Sequence, residues 1–290
     1  TITVGGSKTI TLTDDTSGSA PATANDLKTV NVTVKTEATT IDLDGAAGVS
    51  TVNVSGDQDF TVVMSAVAVE ALTGNKVTLV DNTTSGSSTL ELNTAAGAVD
   101  ASSAGVDNIK MSIDNAGHTL TVASGQKVTL AVDNAASGSA VTISGKAATA
   151  ATNTVTVDLA DGATSAAHGD TAVDILTGLT FAEFDTAVIN ADIDSLTGGA
   201  AETHDINAIT GGGASVTINM GANNLAITGA VNLGATDTLT INGSGKVTGD
   251  TNEVITVKEL DASNVTGVVT LQGATVELPS LKTGAGDDVL

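Results

Sequence analysis

The sequence predicts an all-β protein built as an elongated β-solenoid, similar to a parallel β-helix, with short strands and at most one short helix. Residues 215–249 alternate apolar and small polar residues in short runs, and Gly, Asn or Asp follows each run. Strand centres recur about every six to nine residues, which is typical of a chain coiling around a narrow core. The chain is 41% apolar but only 1% aromatic, so that core must consist of small aliphatic side chains. Tandem β-sandwich domains are the alternative, although immunoglobulin-type sandwiches usually bury Trp or Tyr, which this chain lacks.

The strand pattern extends over most of the chain. Residues 1–13 contain two alternating runs joined by Gly5, Gly6 and Ser7, which form a hairpin or a corner. Further strands are predicted at 30–34, 40–43, 51–54, 60–63, 76–80, 89–92, 109–113, 119–122, 127–132, 140–143 and 153–159. We expect a β-rich solenoid segment over residues 1–160, a linker or junction over 161–198, and a second solenoid segment over 199–290.

The junction contains the one segment with a helical signal. Thr180 and Glu183 have the spacing of a capping box, and Phe181 and Phe184 lie on one helical face. A further pair of strands through residues 185–194 fits equally well. Because two of the three Phe residues of the chain lie here, we expect this segment to fill a core or to mark a junction.

Two segments of the chain resemble each other. DASSAGVDNIKMSI begins at Asp100 and DASNVTGVVTL begins at Asp261. Similarity within one chain is typical of repeat architectures, and it agrees with the regular strand spacing.

The charge of the chain excludes several classes of partner. The formal net charge is −23, and the ten basic residues are all Lys and are not clustered. Nucleic acids and anionic membrane surfaces both require clustered basic residues. No apolar stretch is long enough to span a bilayer, so we expect no membrane insertion. Such an excess of carboxylates repels itself unless cations bind it, and Ca²⁺ prefers carboxylate and carbonyl oxygens, so we expect calcium as the cofactor.

Paired aspartates are the candidate calcium ligands. Residues two apart on a strand place both carboxylates on one face, and a following Gly lets backbone carbonyls turn toward the same ion. For any single pair, the alternative is a solvated strand edge that discourages aggregation. The pairs are Asp42 and Asp44, Asp57 and Asp59, Asp158 and Asp161, Asp192 and Asp194, and Asp14 and Asp15.

The sequence does not predict an enzyme. His118, His168 and His204 lie outside any HExxH pattern, and no Gly-x-Ser-x-Gly elbow lies between a strand and a helix. Glu202, His204 and Asp205 form either a metal-binding cluster or a surface turn, and the turn is favoured.

The last eight residues, TGAGDDVL, resemble one unit of the calcium-binding nonapeptide repeat of RTX proteins. Gly284, Gly286, Asp288 and Leu290 match the repeat, whereas Thr283 replaces its first Gly. The resemblance implies a calcium ion shared between successive coils. Its ligands would be the Asp288 carboxylate and backbone carbonyls around Gly284 and Gly286.

The Thr-, Ala-, Gly- and Val-rich body of the chain also resembles RTX-type bacterial surface-layer proteins. This resemblance implies type I secretion, an extracellular position at the bacterial cell surface, and self-assembly into a calcium-dependent two-dimensional lattice. The partners would be further copies of the chain and, through regions outside it, cell-surface polysaccharide. The alternatives are a stalk or ligand-binding region of a secreted RTX adhesin and an accessory β-roll region of a secreted RTX hydrolase. Because the chain opens inside a strand pattern without Met, we expect it to be a piece of a larger protein.

Overall fold

The computed structural model describes residues 2–4, 8–13, 28–46, 48–70, 72–93, 97–113, 117–132, 139–146, 152–161, 173–191, 203–249, 254–271, 275–277 and 280–289. Strands dominate these ranges. In chain order they are β1 (Ile2–Val4), β2 (Lys8–Thr13), β3 (Thr29–Val34), β4 (Thr39–Gly45), β5 (Thr51–Gly56), β6 (Phe60–Ser65), β7 (Lys76–Thr83), β8 (Ser88–Asn93), β9 (Ala98–Gly105), β10 (Asn108–Ile113), β11 (His118–Val122), β12 (Gln126–Val132), β13 (Ser139–Gly145), β14 (Thr154–Asp161), β15 (Val173–Ala182), β16 (Thr186–Asn190), β17 (Thr203–Ile206), β18 (Ile209–Gly211), β19 (Ser215–Gly221), β20 (Asn224–Ile227), β21 (Val231–Gly243), β22 (Val247–Gly249), β23 (Val254–Val265), β24 (Val269–Leu271), β25 (Thr275–Glu277) and β26 (Leu281–Lys282).

The chain winds as a parallel β-solenoid, as predicted. From β1 to β14 each strand pairs with the strand two positions further along, and every pairing among the described strands is parallel. Each coil therefore adds one strand to each sheet and advances the structure by about 4.8 Å. A sandwich of antiparallel sheets is ruled out for these strands. Strands β1 and β2 are not paired as a hairpin, because β1 pairs with β3 and β2 pairs with β4; residues 5–7 between them lie outside the described residues.

The solenoid has two sheets at its N-terminal end and gains a third at β15. The first sheet runs from β1 through the odd-numbered strands to β15, and then through β18 and the N-terminal parts of β21 and β23 to β25. The second sheet runs from β2 through the even-numbered strands to β16, and then through β19 and the C-terminal parts of β21 and β23 to β26. The third sheet starts with residues 173–176 of β15 and continues through β17, β20, β22 and β24.

Aliphatic side chains at equal register form the core. Alternate residues of each strand point inward, and each packs on the corresponding residue of the next coil. In the second sheet this stack is continuous over nine coils and all its members are fully buried: Ile41, Val62, Leu90, Ile109, Val128, Val157, Ile189, Ile218 and Ile241. A narrow interior of this kind needs few aromatic side chains, which explains the composition.

The helix predicted around Thr180 is wrong. Strand β15 extends through Phe181, a corner follows at Glu183 with a φ angle of +64°, and β16 begins at Thr186. The strand alternative is therefore correct for Thr186–Asn190. Phe181 pairs with Ile143 of the preceding coil and is fully buried, so packing between coils overrides the capping-box signal. Both Phe residues of this segment lie in the core, at the coil where the third sheet begins.

The helical structure in the described ranges lies elsewhere. A short helix, α1 (Ala66–Glu70), and a 3-10 turn (Thr73–Asn75) lie between β6 and β7, and Ala68 and Val69 are buried in the core. No helix in the described part of the chain has the length and apolar character needed to cross a bilayer.

Glycines occupy corners where the backbones of successive coils approach closely. A Cβ atom on Gly245 would lie 1.8 Å from the carbonyl oxygen of Asn223, and one on Gly267 would lie 2.0 Å from the carbonyl oxygen of Gly245. No larger residue fits there without moving one coil away from the next. The corner glycines therefore permit the close spacing of the coils.

Candidate cation sites and polar faces

The structure brings Asp42 and Asp44 together on the outer face of β4. The backbone N–H of Asp44 donates to Asp42 Oδ1 at 3.0 Å. Partial burial and the neighbouring Asp42 carboxylate raise the pKa of Asp44, and Glu91 adds to this against an opposing hydrogen bond from Asn93. These carboxylates are crowded rather than neutralised. A bound cation at this position would relieve their repulsion.

Asp57 and Asp59 lie at the corner between β5 and β6. Asp59 Oδ1 accepts the backbone N–H of Ser87 at 2.7 Å, and the backbone oxygen of Asp57 accepts Ser85 Oγ at 2.9 Å. Asp57 Oδ1 also accepts Gln58 Nε2 at 3.2 Å. Both residues are therefore bonded to the corner of the next coil, and the Asp59 carboxylate caps the backbone of that corner at Ser87.

Asp158 is held by protein donors on both carboxylate oxygens. Lys127 Nζ lies 2.6 Å from Asp158 Oδ2, and Asn190 Nδ2 donates to Asp158 Oδ1 at 2.8 Å. Asp158 occupies an outward-facing position of β14 but is only 2% exposed. Asp161 ends β14 and its backbone pairs with Val132. The side chain of Asp161 and both Asp192 and Asp194 lie outside the described residues, as do Asp14 and Asp15.

The described part of the RTX-like octapeptide, residues 283–289, forms the corner of one further coil. A Cβ atom on Gly284 would lie 1.7 Å from a carbonyl oxygen of the preceding coil, and one on Gly286 would lie 2.4 Å from another. Asp288 Oδ1 accepts the backbone N–H of Val269 at 3.0 Å, and Val289 forms a parallel bridge with Thr270. The glycines and the aspartate therefore have structural roles at this corner.

Among the described residues, no group of three or more His, Cys, Asp or Glu side chains is arranged to hold a metal ion. Glu202 and the side chain of His204 lie outside the described part. Asp205 accepts a hydrogen bond from Thr228 Oγ1 at 2.8 Å, and His118 is buried in the core. His168 also lies outside the described residues.

The similarity between the segments at Asp100 and Asp261 reflects a shared β-bulge. In each segment the aspartate Oδ1 accepts both the backbone N–H and the hydroxyl of the serine two residues later, Ser102 or Ser263. The pairing register shifts at the same place in both strands. The repeated Asp-Ala-Ser sequence thus marks a local turn within a strand.

A ladder of asparagine amides runs along the outer face of the second sheet. Asn264 donates to Asn242 at 3.0 Å, Asn242 to Asn219 at 3.0 Å, Asn219 to Asn190 at 2.9 Å, and Asn190 to Asp158. Every amide donates toward the N-terminal end of the solenoid, so the ladder ends at the buried Asp158 carboxylate. We define these four asparagines as the amide ladder.

Threonines form a similar row on the outer face of the first sheet. At equal register in six successive coils lie Thr119, Thr142, Thr180, Thr210, Asn232 and Thr256. These six residues are uncharged, and the next residue at this register is Glu277 of β25.

The sequence interpretation missed the amide ladder. Its available signal is the dipeptide Ile-Asn, which recurs at residues 189–190, 218–219 and 241–242. Recognising a ladder also requires the pairing of coils, which strand periodicity does not provide.

Comparisons with known proteins add no family to this description. No protein-family model matches the sequence, and no curated protein or solved structure was found to be similar.

Proposed function

We propose that this chain is a structural module of a bacterial surface layer, which self-associates into a calcium-dependent two-dimensional lattice outside the cell. The observation that carries the proposal is the solenoid itself, with a continuous aliphatic core and regular outer rows of Thr and Asn. Such a rod is rigid along its axis, because each coil is bonded to the next by backbone ladders. Its sides repeat at the coil spacing and suit side-by-side packing.

The charge supports a role for calcium. In the described residues, Lys110 pairs with Glu91, Lys127 with Asp158, and Lys282 with Glu259 and Asp261. These Lys residues are therefore already engaged, and ten Lys residues cannot balance 33 acidic ones. Copies of the chain repel one another until divalent cations bind between or within them. Calcium would thus switch association on.

A stalk of a secreted adhesin is the second candidate, and the same rod-like architecture favours it. In that function the solenoid serves as a spacer and a surface ligand replaces the second copy. The two functions differ in whether the purified chain associates with itself.

The test is negative-stain electron microscopy of the full chain after treatment with a chelator and after addition of CaCl₂. We expect dispersed rods in chelator and ordered sheets with calcium, and MgCl₂ at the same ionic strength controls for screening. Dispersed rods under all three conditions would refute the surface-layer proposal.

A further inference from the structure

Two buried side-chain oxygens of the described residues have no hydrogen-bond partner, and only one of them, on Asn153, also lacks an ion-pair partner, because Glu259 Oε1 pairs with Lys282. Asn153 lies at the corner that precedes β14 and is 6% exposed. Its Nδ2 donates to the backbone oxygen of Glu183 at 2.8 Å, but its Oδ1 is buried and unpartnered. Reversing the amide would place its oxygen against the Glu183 carbonyl, so the orientation is fixed. A buried carbonyl oxygen without a donor or a cation is costly, which points to a missing ligand.

A carboxylate belongs to the same corner. Asp185 Oδ2 accepts the backbone N–H of Asn153 at 2.7 Å, and the backbone N–H of Asp185 donates to the Asn153 carbonyl at 2.9 Å. The amide of Asn153 is thus inserted into the turn formed by Glu183, Phe184 and Asp185 in the next coil. The unpartnered oxygen therefore lies within a corner that carries two acidic residues.

Packing buries Asn153 Oδ1, whereas the two acidic residues of the corner reach the solvent. Phe184 is 4% exposed, and a Cβ atom on Gly145 would lie 2.7 Å from the Glu183 oxygen and 3.3 Å from Asn153 Nδ2. Glu183 and Asp185 are exposed. An ion would enter from the solvent side, past these two carboxylates. The described corner residues of the adjacent coils, 123–125 and 212–214, include no Lys to compete with it.

We propose that this corner binds a divalent cation of the calcium type, with Asn153 Oδ1 and the Asp185 carboxylate as protein ligands. Water completes the shell, because Ca²⁺ accepts amide, carboxylate and water oxygens in flexible numbers. The ion neutralises the corner charge and satisfies the buried oxygen. The site adds a specific ion-binding corner to the proposed function. Cation binding at the corner is independent of that function, and only the effect of binding on assembly rests on it.

The chain offers a matched control. Asp107 occupies the equivalent corner of an earlier coil, where its Oδ2 accepts the backbone N–H of Ser88 at 2.9 Å. No unpartnered oxygen lies beside it among the described atoms. Asp185→Asn and Asp107→Asn each remove one corner charge and keep an oxygen that can accept the backbone hydrogen bond.

Two measurements on the full chain test the site. Calorimetric titration of the chelator-stripped protein with CaCl₂ should show one site weakened at least about tenfold in Asp185→Asn and unchanged in Asp107→Asn. In ¹⁵N-labelled protein, Mn²⁺ should broaden the Asn153 side-chain amide signals before those of Asn219, and Asp185→Asn should abolish this difference. Equal calcium affinities in all three proteins, or no selective broadening, would overturn the site and leave a buried water as the occupant.

These outcomes separate the site from the lattice. Selective broadening at Asn153 together with dispersed rods in calcium would keep the site and refute the surface-layer function. Calcium-dependent sheets without broadening at Asn153 would refute the site and keep the surface-layer function.

Discussion

Removing one rung of the amide ladder tests whether outer polar rows stabilise the solenoid. Asn219 has two ladder partners, since it donates to Asn190 at 2.9 Å and accepts from Asn242 at 3.0 Å. Asn264 stands at the end and makes only the bond to Asn242 among the described contacts. Asn219→Ala breaks two hydrogen bonds, whereas Asn264→Ala breaks one.

The expected costs follow from this count. A hydrogen bond contributes about 0.5–1.5 kcal/mol net, so Asn219→Ala should cost about 1–3 kcal/mol and Asn264→Ala about half of that. Asn219 is partly buried, so water replaces its lost partners only incompletely, whereas Asn264 is exposed. The ladder amides are also aligned, and this alignment strengthens the inner bonds further.

The free energy of unfolding is measured by urea titration with far-UV circular dichroism, because the chain has no Trp or Tyr. Thr217→Ala is the control, since Thr217 occupies an outward position of the same strand and lies outside the ladder. Equal costs for Asn219→Ala and Thr217→Ala would show that the amide bonds add nothing. Equal costs for Asn219→Ala and Asn264→Ala would refute the count of partners.

Three further predictions concern the core, the corners and the acidic face. Ile218→Ala removes a fully buried member of the aliphatic stack and should cost about 2–5 kcal/mol by the same urea titration. Gly245→Ala should cost about 1–3 kcal/mol or more, because its Cβ meets a backbone oxygen at 1.8 Å, whereas Gly97→Ala has open space and should stay within about 0.5 kcal/mol; equal melting temperatures would contradict this. Because the pKa of Asp44 is raised in the folded state, its charge lowers the free energy of unfolding at a pH above the folded-state pKa. This loss of stability disappears as the pH falls to the pKa of the unfolded state. Asp44→Asn should therefore raise the melting temperature at neutral pH in chelator but not at acidic pH, and it should lower the melting temperature in calcium if Asp42 and Asp44 hold an ion.

Much of the fold was predictable from residue alternation. The strands predicted at residues 51–54, 60–63 and 127–132 lie within β5, β6 and β12. The scarcity of aromatic residues correctly indicated a thin core. The helix predicted around Thr180 was wrong, because residue spacing within one segment does not reveal that Phe181 packs on Ile143 of another coil.

The candidate site was less accessible to sequence reasoning. The pairing of Asp42 with Asp44 is local, and two-residue spacing on a strand was enough to place them together. The corner at Asn153 was missed, because its partners in Glu183 and Asp185 lie about 30 residues further along the chain. Corner segments rich in Gly, Asn and Asp cannot be told apart in the sequence until the pairing of the coils is known.

The sequence by itself determined which side chains point inward, since alternation along a strand depends only on neighbouring residues. It also determined the excess of negative charge and the scarcity of aromatic core residues. Only the tertiary structure decided which residues meet across coils, because coil lengths differ: 29 residues separate Asn190 from Asn219, but 23 separate Asn219 from Asn242. The corners absorb these differences in length and keep the outer rows in register, so the amide ladder and the Asn153 corner exist only once the chain is wound.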